Sequence, residues 1–461
     1  MELIYESTSA LAEAIRSRKA SSEEIVQACI YRIQGVNAKL NAVVQLPAEI
    51  ALQQARDADQ ALARGEIQGP LHGVPFTLKD AIETKGIICT GGTEGRSHYV
   101  PSEDAVVAKR LRQAGAVLLG KTNCPELGWA WESDNLIYGR TNNPYDLELS
   151  PGGSSGGESA LIAAGGSPFG LGSDAGGSVR FPAHCTGIAS IKPTSGRVPR
   201  TGHFPGAGGI LDALWQIGPL ARFVEDLALV LPVISGVDWQ DAAVVPMPLG
   251  DPRAIDPRRL RVAFHTDNGI ATPSSEIAEV VKKAAAALAQ EGIPVDEVRP
   301  RAIEQTYEIY FGLFTADGGA GVESLLKMAG TTRVHPLMRR VLELQRQGAK
   351  SAAEFAALVG QWDAFRREML SFMSNYDAIL CPVCTFARMV HGSTYDRLPC
   401  FSYTMTSNLT GWPAAVVRGG TTQEGLPIGV QIIARPWRED VALAVAQLLQ
   451  DTLGGWQRPP I

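Results

Sequence analysis

Apolar positions along this chain repeat with two different periods. Ile25, Val26, Cys29, Ile30 and Ile33 are spaced to share one face of a helix. Ser21 and Glu24 stand just ahead of them in the spacing of a capping box, which places the helix start. Similar patterning predicts helices over 47–64, 102–115, 157–164, 275–292 and 439–449. Short continuous apolar runs at 73–80, 116–120, 260–264, 376–380 and 429–434 read as buried strands. Strand, helix and strand at this spacing predict an α/β fold. The expected core is a mixed, largely parallel twisted sheet covered by helices on both faces. Residues 302–370 read as helical, aromatic at the start (Tyr307, Tyr310, Phe311, Phe314), with a glycine cluster at Gly318, Gly319 and Gly321 that suits the hinge of a lid. Residues 238–259, rich in Pro, Asp and Ala, read as a surface loop.

One stretch breaks this patterning. Residues 150–180 read SPGGSSGGESALIAAGGSPFGLGSDAGGSVR, and ten of the 31 are Gly. Glycine lets backbone N–H groups approach a ligand and tolerates positive φ. It also costs chain entropy, so an ordinary core has no reason to concentrate it. A flexible Gly/Ser linker is the plain alternative. The embedded ALIAA and FGLG segments argue against it, because they need burial. Serines flanked by such backbone donors suggest a nucleophile beside an oxyanion hole.

Composition excludes several function classes. A net charge of −6 offers no basic face for nucleic acid and no polybasic lipid anchor. No run of about 18 apolar residues predicts a membrane span. The first twenty residues lack the apolar stretch of a signal peptide. The seven cysteines are scattered and odd in number, which points to reduced thiols and a cytoplasmic location. Cys381 and Cys384 form the one CxxC, but no second pair accompanies them; the run before them reads as a strand ending at Pro382 rather than a zinc site. His72 and His184 lie near the glycine-rich motifs and read first as packing or surface residues.

Serine needs a base, and no His/Asp arrangement presents itself. Lys79 ends an apolar strand, where burial disfavours the ammonium form. A neutral lysine can serve a serine, as in Ser–Lys hydrolases. An ion pair of Lys79 with Asp80 or Glu83 is the equal alternative from local sequence.

Lys79, the GGSSGGE run and the GSDAGGSVRFPA run, in this order, resemble the amidase signature family. Ser154 stands 75 residues after Lys79, and Ser178 a further 24 on. The resemblance is continuous over 73–222, with a signature core at 71–222, and resumes at 407–413 and 425–431. It implies a single domain over 1–461. It also implies that Ser178 is the nucleophile, Ser154 a bridging serine after a cis peptide, and Lys79 the base. The backbone N–H groups of Ala175, Gly176, Gly177 and Ser178 would form the oxyanion hole. Ser155, Asp174 and Arg180 would hold the loop. The implied reaction is hydrolysis of an amide through an acyl-enzyme, with no metal or cofactor and no nucleic-acid partner; a homodimer is the candidate assembly.

Glu158 in GGES brings the chain closer to the fatty acid amide hydrolase-like branch of that family. Trp129 and Trp131 stand where that branch carries pocket aromatics, and Phe204, Ile210, Leu211, Leu214 and Trp215 are candidates for an apolar wall. Apolar acyl or aryl amides follow as the substrate class, with esters and carbamates or urethanes open to the same carbonyl attack. Three rivals stand beside this reading, one of them a non-catalytic binding scaffold, against which the presence of all three triad residues argues. The glutaminase-type subunit of a tRNA-dependent amidotransferase shares the triad, but no counterpart of its glutamine-clamping arginine segment is evident. A nucleotide-binding module would need GxxxxGK[ST], and no lysine follows these glycines.

Overall fold

The computed structural model describes residues 2–209 and 211–461. Its strands are β1 (Val43–Gln45), β2 (Pro75–Lys79), β3 (Val117–Thr122), β4 (Phe169–Asp174), β5 (Ala189–Lys192), β6 (Gln216–Ala221), β7 (Val262–Phe264), β8 (Val295–Glu297), β9 (Ala378–Pro382), β10 (Ala414–Thr421) and β11 (Pro427–Ala434). They form one 11-stranded sheet in the order β1-β3-β2-β4-β6-β5-β10-β11-β9-β7-β8. The α/β class and the mixed sheet agree with expectation. Parallel pairing, however, is confined to β3-β2-β4 and β9-β7-β8, and the other six pairings are antiparallel. β10 and β11 show why: residues 422–426 join them directly, and so short a link permits only an antiparallel pair.

Alternate side chains of a strand enter different cores. Leu118 of β3 belongs on one face to the same hydrophobic core as residues of helices Val224–Ile234 and Glu439–Leu453. Its neighbours Val117 and Leu119 pack with helix Ser22–Leu40 on the other. Leu380 of β9 and its neighbours Ile379 and Cys381 divide in the same way. Burial on both faces is what makes these strands continuous apolar runs in sequence. Each fully buried Leu contributes about 2 kcal/mol of transfer free energy.

The helices obey their local signals. Ser21 Oγ accepts the Glu24 N–H at 3.1 Å, and a Glu24 carboxylate oxygen accepts the Ser21 N–H at 2.7 Å. That box starts helix Ser22–Leu40, which buries Ile25, Val26, Cys29, Ile30 and Ile33. The 302–370 segment is helical as expected, forming Thr306–Thr315, Ala320–Ala329, Pro336–Gln347 and the start of Ala352–Met373. Among the described residues, no helix is long and apolar enough to cross a membrane.

Candidate active site

β2 and β4 run parallel side by side, so Lys79 and Asp174 end them on the same edge of the sheet. The carboxyl ends of parallel strands are where open α/β sheets place their ligands. Lys79 is only 1% exposed and pairs with neither Asp80 nor Glu83. Its Nζ lies 2.6 Å from Ser154 Oγ and 3.0 Å from Ser173 Oγ. Burial lowers the lysine pKa to about 8, against the opposing charges of Asp174 and Glu158. Glu158 is itself buried, accepts hydrogen bonds from Thr122 and Thr77, and is pushed up to about 7 by desolvation.

Ser154 follows a cis Gly153–Ser154 peptide. A Cβ on Gly153 would stand 2.3 Å from the Glu132 carbonyl oxygen, so only glycine fits. The Ser155 N–H donates to the Ser178 carbonyl at 3.2 Å and ties the two glycine-rich loops together.

Asp174 and Arg180 frame the second loop. They form a fully buried ion pair at 2.8 Å. Burial alone would raise the Asp174 pKa, but the Arg180 charge and hydrogen bonds from Arg180 and Asn408 hold it well below the usual carboxylate range. Arg180 also donates to the Thr404 carbonyl, Ser407, Asn408 and Gln431. Those residues lie on helix Ser402–Thr410 and on β11, which explains why motifs resume near 407 and 431. The Ala175 carbonyl accepts from Tyr310 Oη at 3.1 Å, and the Gly176 carbonyl from Trp131 Nε1 at 2.9 Å and Thr404 Oγ1 at 2.8 Å. With those carbonyls held, the N–H groups of Ala175, Gly176 and Ser178 find no acceptor among the described residues. The Gly177 N–H departs from expectation. It donates to Asp174 Oδ1 at 2.8 Å, and the other carboxylate oxygen accepts the Val179 N–H at 3.1 Å, so Asp174 holds the turn that leads into helix Arg180–Thr186.

Ser154, Ser173, Ser178 and His203 share one cavity. Its walls are apolar: Leu127, Trp129, Trp131, Leu211, Trp215, Tyr310, Phe314 and Leu325. Trp129 leans on Phe314 with ring centres 5.0 Å apart. Trp131 stacks on Phe401 at 4.6 Å while its indole holds Gly176, so it serves both wall and frame. The expected wall needs correction at two positions. Leu214 is fully buried away from the cavity, because the 3₁₀ turn Asp212–Leu214 points it into the core between Leu211 and Trp215. Phe204 packs beneath the Arg96 guanidinium, 3.8 Å from its ring centre, rather than in the cavity. Ile210 lies outside the described residues.

His72 and His184 bond to backbone, His72 with the Ala58 carbonyl and His184 with the Gly429 N–H, and are packing residues. Cys381 and Cys384 are buried free thiols, and β9 ends at Pro382. Among the described residues, no cluster of three His, Cys, Asp or Glu could hold a metal. Two site residues escaped the sequence. Ser173 was visible only as the neighbour of Asp174 in GSDAGGS, and His203 carried no motif at all.

A family model described as Amidase matches residues 24–443. The chain belongs to the amidase family. Amidase signature enzymes hydrolyse amide C–N bonds, and the whole chain is similar to several of them. It is 34% identical to a glutamyl-tRNA(Gln) amidotransferase subunit of Moorella thermoacetica, over 100% of this chain and 99% of that one. It is 32% identical to human fatty-acid amide hydrolase 2, over 97% of this chain and 89% of the relative. The solved structure of 6-aminohexanoate cyclic dimer hydrolase with its substrate superposes with a TM-score of 0.88 at 30% identity, covering 99% of both chains.

Proposed function

We propose that this amidase cleaves apolar acyl or aryl amides through an acyl-enzyme on Ser178, and that it accepts esters and carbamates, urethanes included, by the same carbonyl attack. The 2.6 Å contact of Lys79 Nζ with Ser154 Oγ, at the floor of a cavity shared with Ser178, carries this reading. Neutral Lys79 takes the proton of Ser154 as Ser154 takes that of Ser178. Ser178 then attacks the carbonyl carbon. The N–H groups of Ala175, Gly176 and Ser178 receive the oxyanion, and losing one such donor typically costs about 3 kcal/mol. The proton returns through Ser154 to the leaving nitrogen, and water resolves the acyl-enzyme by the same route. The chain acts as one catalytic unit over 1–461. Its 302–370 helices form the outer wall and, in this proposal, the lid.

The full-length match to the amidotransferase relative favours a second reading, hydrolysis of glutamine as the glutaminase of such an assembly. Glutamine carries an α-carboxylate and an α-ammonium that a site has to pair. Among the described lining residues, the one charged side chain is Asp174, already paired with Arg180. That wall suits apolar groups better. A fluorophosphonate probe mapped by peptide mass spectrometry should label Ser178. A panel of anilides, fatty amides, carbamates and glutamine then separates the readings: preference for apolar amides supports the first, and activity restricted to glutamine supports the second. Folded protein that resists labelling would end both.

A further inference from the structure

His203 lies on the floor of the cavity with one ring edge against Trp215, at 4.8 Å between centres. Its Nδ1 is 2.8 Å from the Pro205 carbonyl, and its Nε2 is 2.9 Å from Ser173 Oγ. A carbonyl only accepts, so Nδ1 carries the proton. In a neutral imidazole Nε2 is then an acceptor, and its partners assign the tautomer. The ring is held neutral: burial lowers its pKa first, followed by the charge of Lys79, with Lys121 and Arg200 acting in the same direction.

The rest follows from counting protons. Ser173 has one hydroxyl proton, and it goes to His203 Nε2. Ser173 Oγ can therefore meet Lys79 Nζ, 3.0 Å away, only as an acceptor. A neutral amine has two N–H bonds and one lone pair. With one N–H anchored on Ser173, the lone pair cannot turn toward Ser173 and is kept for the Ser154 hydroxyl, 2.6 Å away. We infer that His203 is a positioning residue that acts through Ser173 to aim the Lys79 lone pair at Ser154. Without His203, the Ser173 hydroxyl can turn and donate to that lone pair, competing with Ser154 for it. The groups that face Lys79 from other elements are Asp174 at the end of β4, Glu158 on helix Gly156–Ala163, and Cys124 just after β3.

This inference rests on the proposed role of Lys79, and its test separates the two. His203→Phe keeps a ring against Trp215 but offers no acceptor; His203→Gln restores an acceptor without the ring. The Phe variant should lose kcat on the order of ten- to hundredfold, the scale of a misaimed catalytic group. The Gln variant should recover most of that loss. The acid limb of kcat/KM should move to lower pH in the Phe variant, because a hydroxyl donated to the lone pair stabilises the neutral amine. Ser173→Ala should lower kcat as well, and adding His203→Phe to it should change little further, since the pathway is already cut.

Equal kcat in the Phe and Gln variants with an unmoved acid limb would overturn the inference and leave His203 a wall residue. Multiplying losses in the double variant would also overturn it. If the Phe variant does not fold, Ser173→Ala decides alone: reduced kcat with a shifted limb supports the pathway, and native kcat removes it. Lys79→Ala is the control. Native-like turnover there would remove the lysine as base. An inactive Lys79→Ala beside wild-type behaviour in the His203 variants removes only the positioning role.

Discussion

In the proposed mechanism, the pH dependence of turnover follows from one buried lysine. Lys79 has its pKa lowered from 10.5 to about 8, with desolvation as the main cause. At pH 7 a group with that pKa is about one-tenth neutral, whereas an unperturbed lysine would be neutral in about one molecule in 3,000. Burial thus multiplies the reactive form about 300-fold, equivalent to about 3 kcal/mol. The assay is kcat/KM from pH 6 to 10 on an uncharged anilide. The expected profile falls tenfold per unit below about pH 8 and is flat above about pH 9. Glu158 is raised to about 7 and Lys192 is lowered to about 7, and both are buried, so either could mimic a limb. Glu158→Gln and Lys192→Met separate those cases: the limb should survive in both, and in the Glu158 variant it should lie below 8, because a charge that raises the Lys79 pKa has been removed. A limb below pH 6.5, or none, would refute Lys79 as the base. Stability carries the same sign. The folded pKa is below the unfolded value, so between about pH 8 and 10.5 the unfolded chain binds the proton that the native state has released. Stability from this group therefore rises with pH across that window, and its burial penalty is complete below it.

The other predictions concern single side chains. Ser178→Ala should abolish both turnover and probe labelling, while Lys79→Ala and Ser154→Ala should each cut kcat by orders of magnitude; the double variant should be little worse than the worse single, as stopped-flow and steady-state rates would report. Trp129→Ala should lower kcat/KM for bulky apolar amides by about one to two decades, from a loss of about 100 Å² of contact, and leave acetamide nearly unchanged. Trp131→Ala should impair both substrates alike, because its indole N–H holds the Gly176 carbonyl. Arg180→Met should destabilise the fold by about 3–5 kcal/mol, since Asp174 would be left buried without its partner, and thermal melting would show it.

Much of this arrangement was legible in sequence where local signals act alone. The capped helix Ser22–Leu40 needed only Ser21, Glu24 and an apolar stripe. Lys79 at the end of an apolar run was legible because β2 is buried on both faces. β4 was harder: FGLGSD carries too few branched residues to read as a strand, and its glycines serve neighbours instead, since a Cβ on Gly170 or Gly172 would strike Glu158 or Ser155. Leu214 was assigned to the wall because nothing local reveals which residue a 3₁₀ turn points inward. His203 was missed because its meaning lies in contact with Ser173, thirty residues away in sequence and across a fold. The commitment of Gly177 to Asp174 is likewise a property of the closed loop.

The parts of the cavity come from separate stretches of chain. Its floor is made by β2, β4 and the two glycine-rich loops, while its sides come from 127–131, 205–208, Leu211, Trp215 and the helices after 305. The frame that holds the floor is crowded; the sides, apart from Trp131 and Tyr310, bear little of that load. Selection can therefore redraw the sides by insertion or replacement while the floor is inherited intact. A lineage built this way diversifies its diet without reinventing its chemistry, and kinship within it reports the bond that is cut far more faithfully than the molecule that carries it.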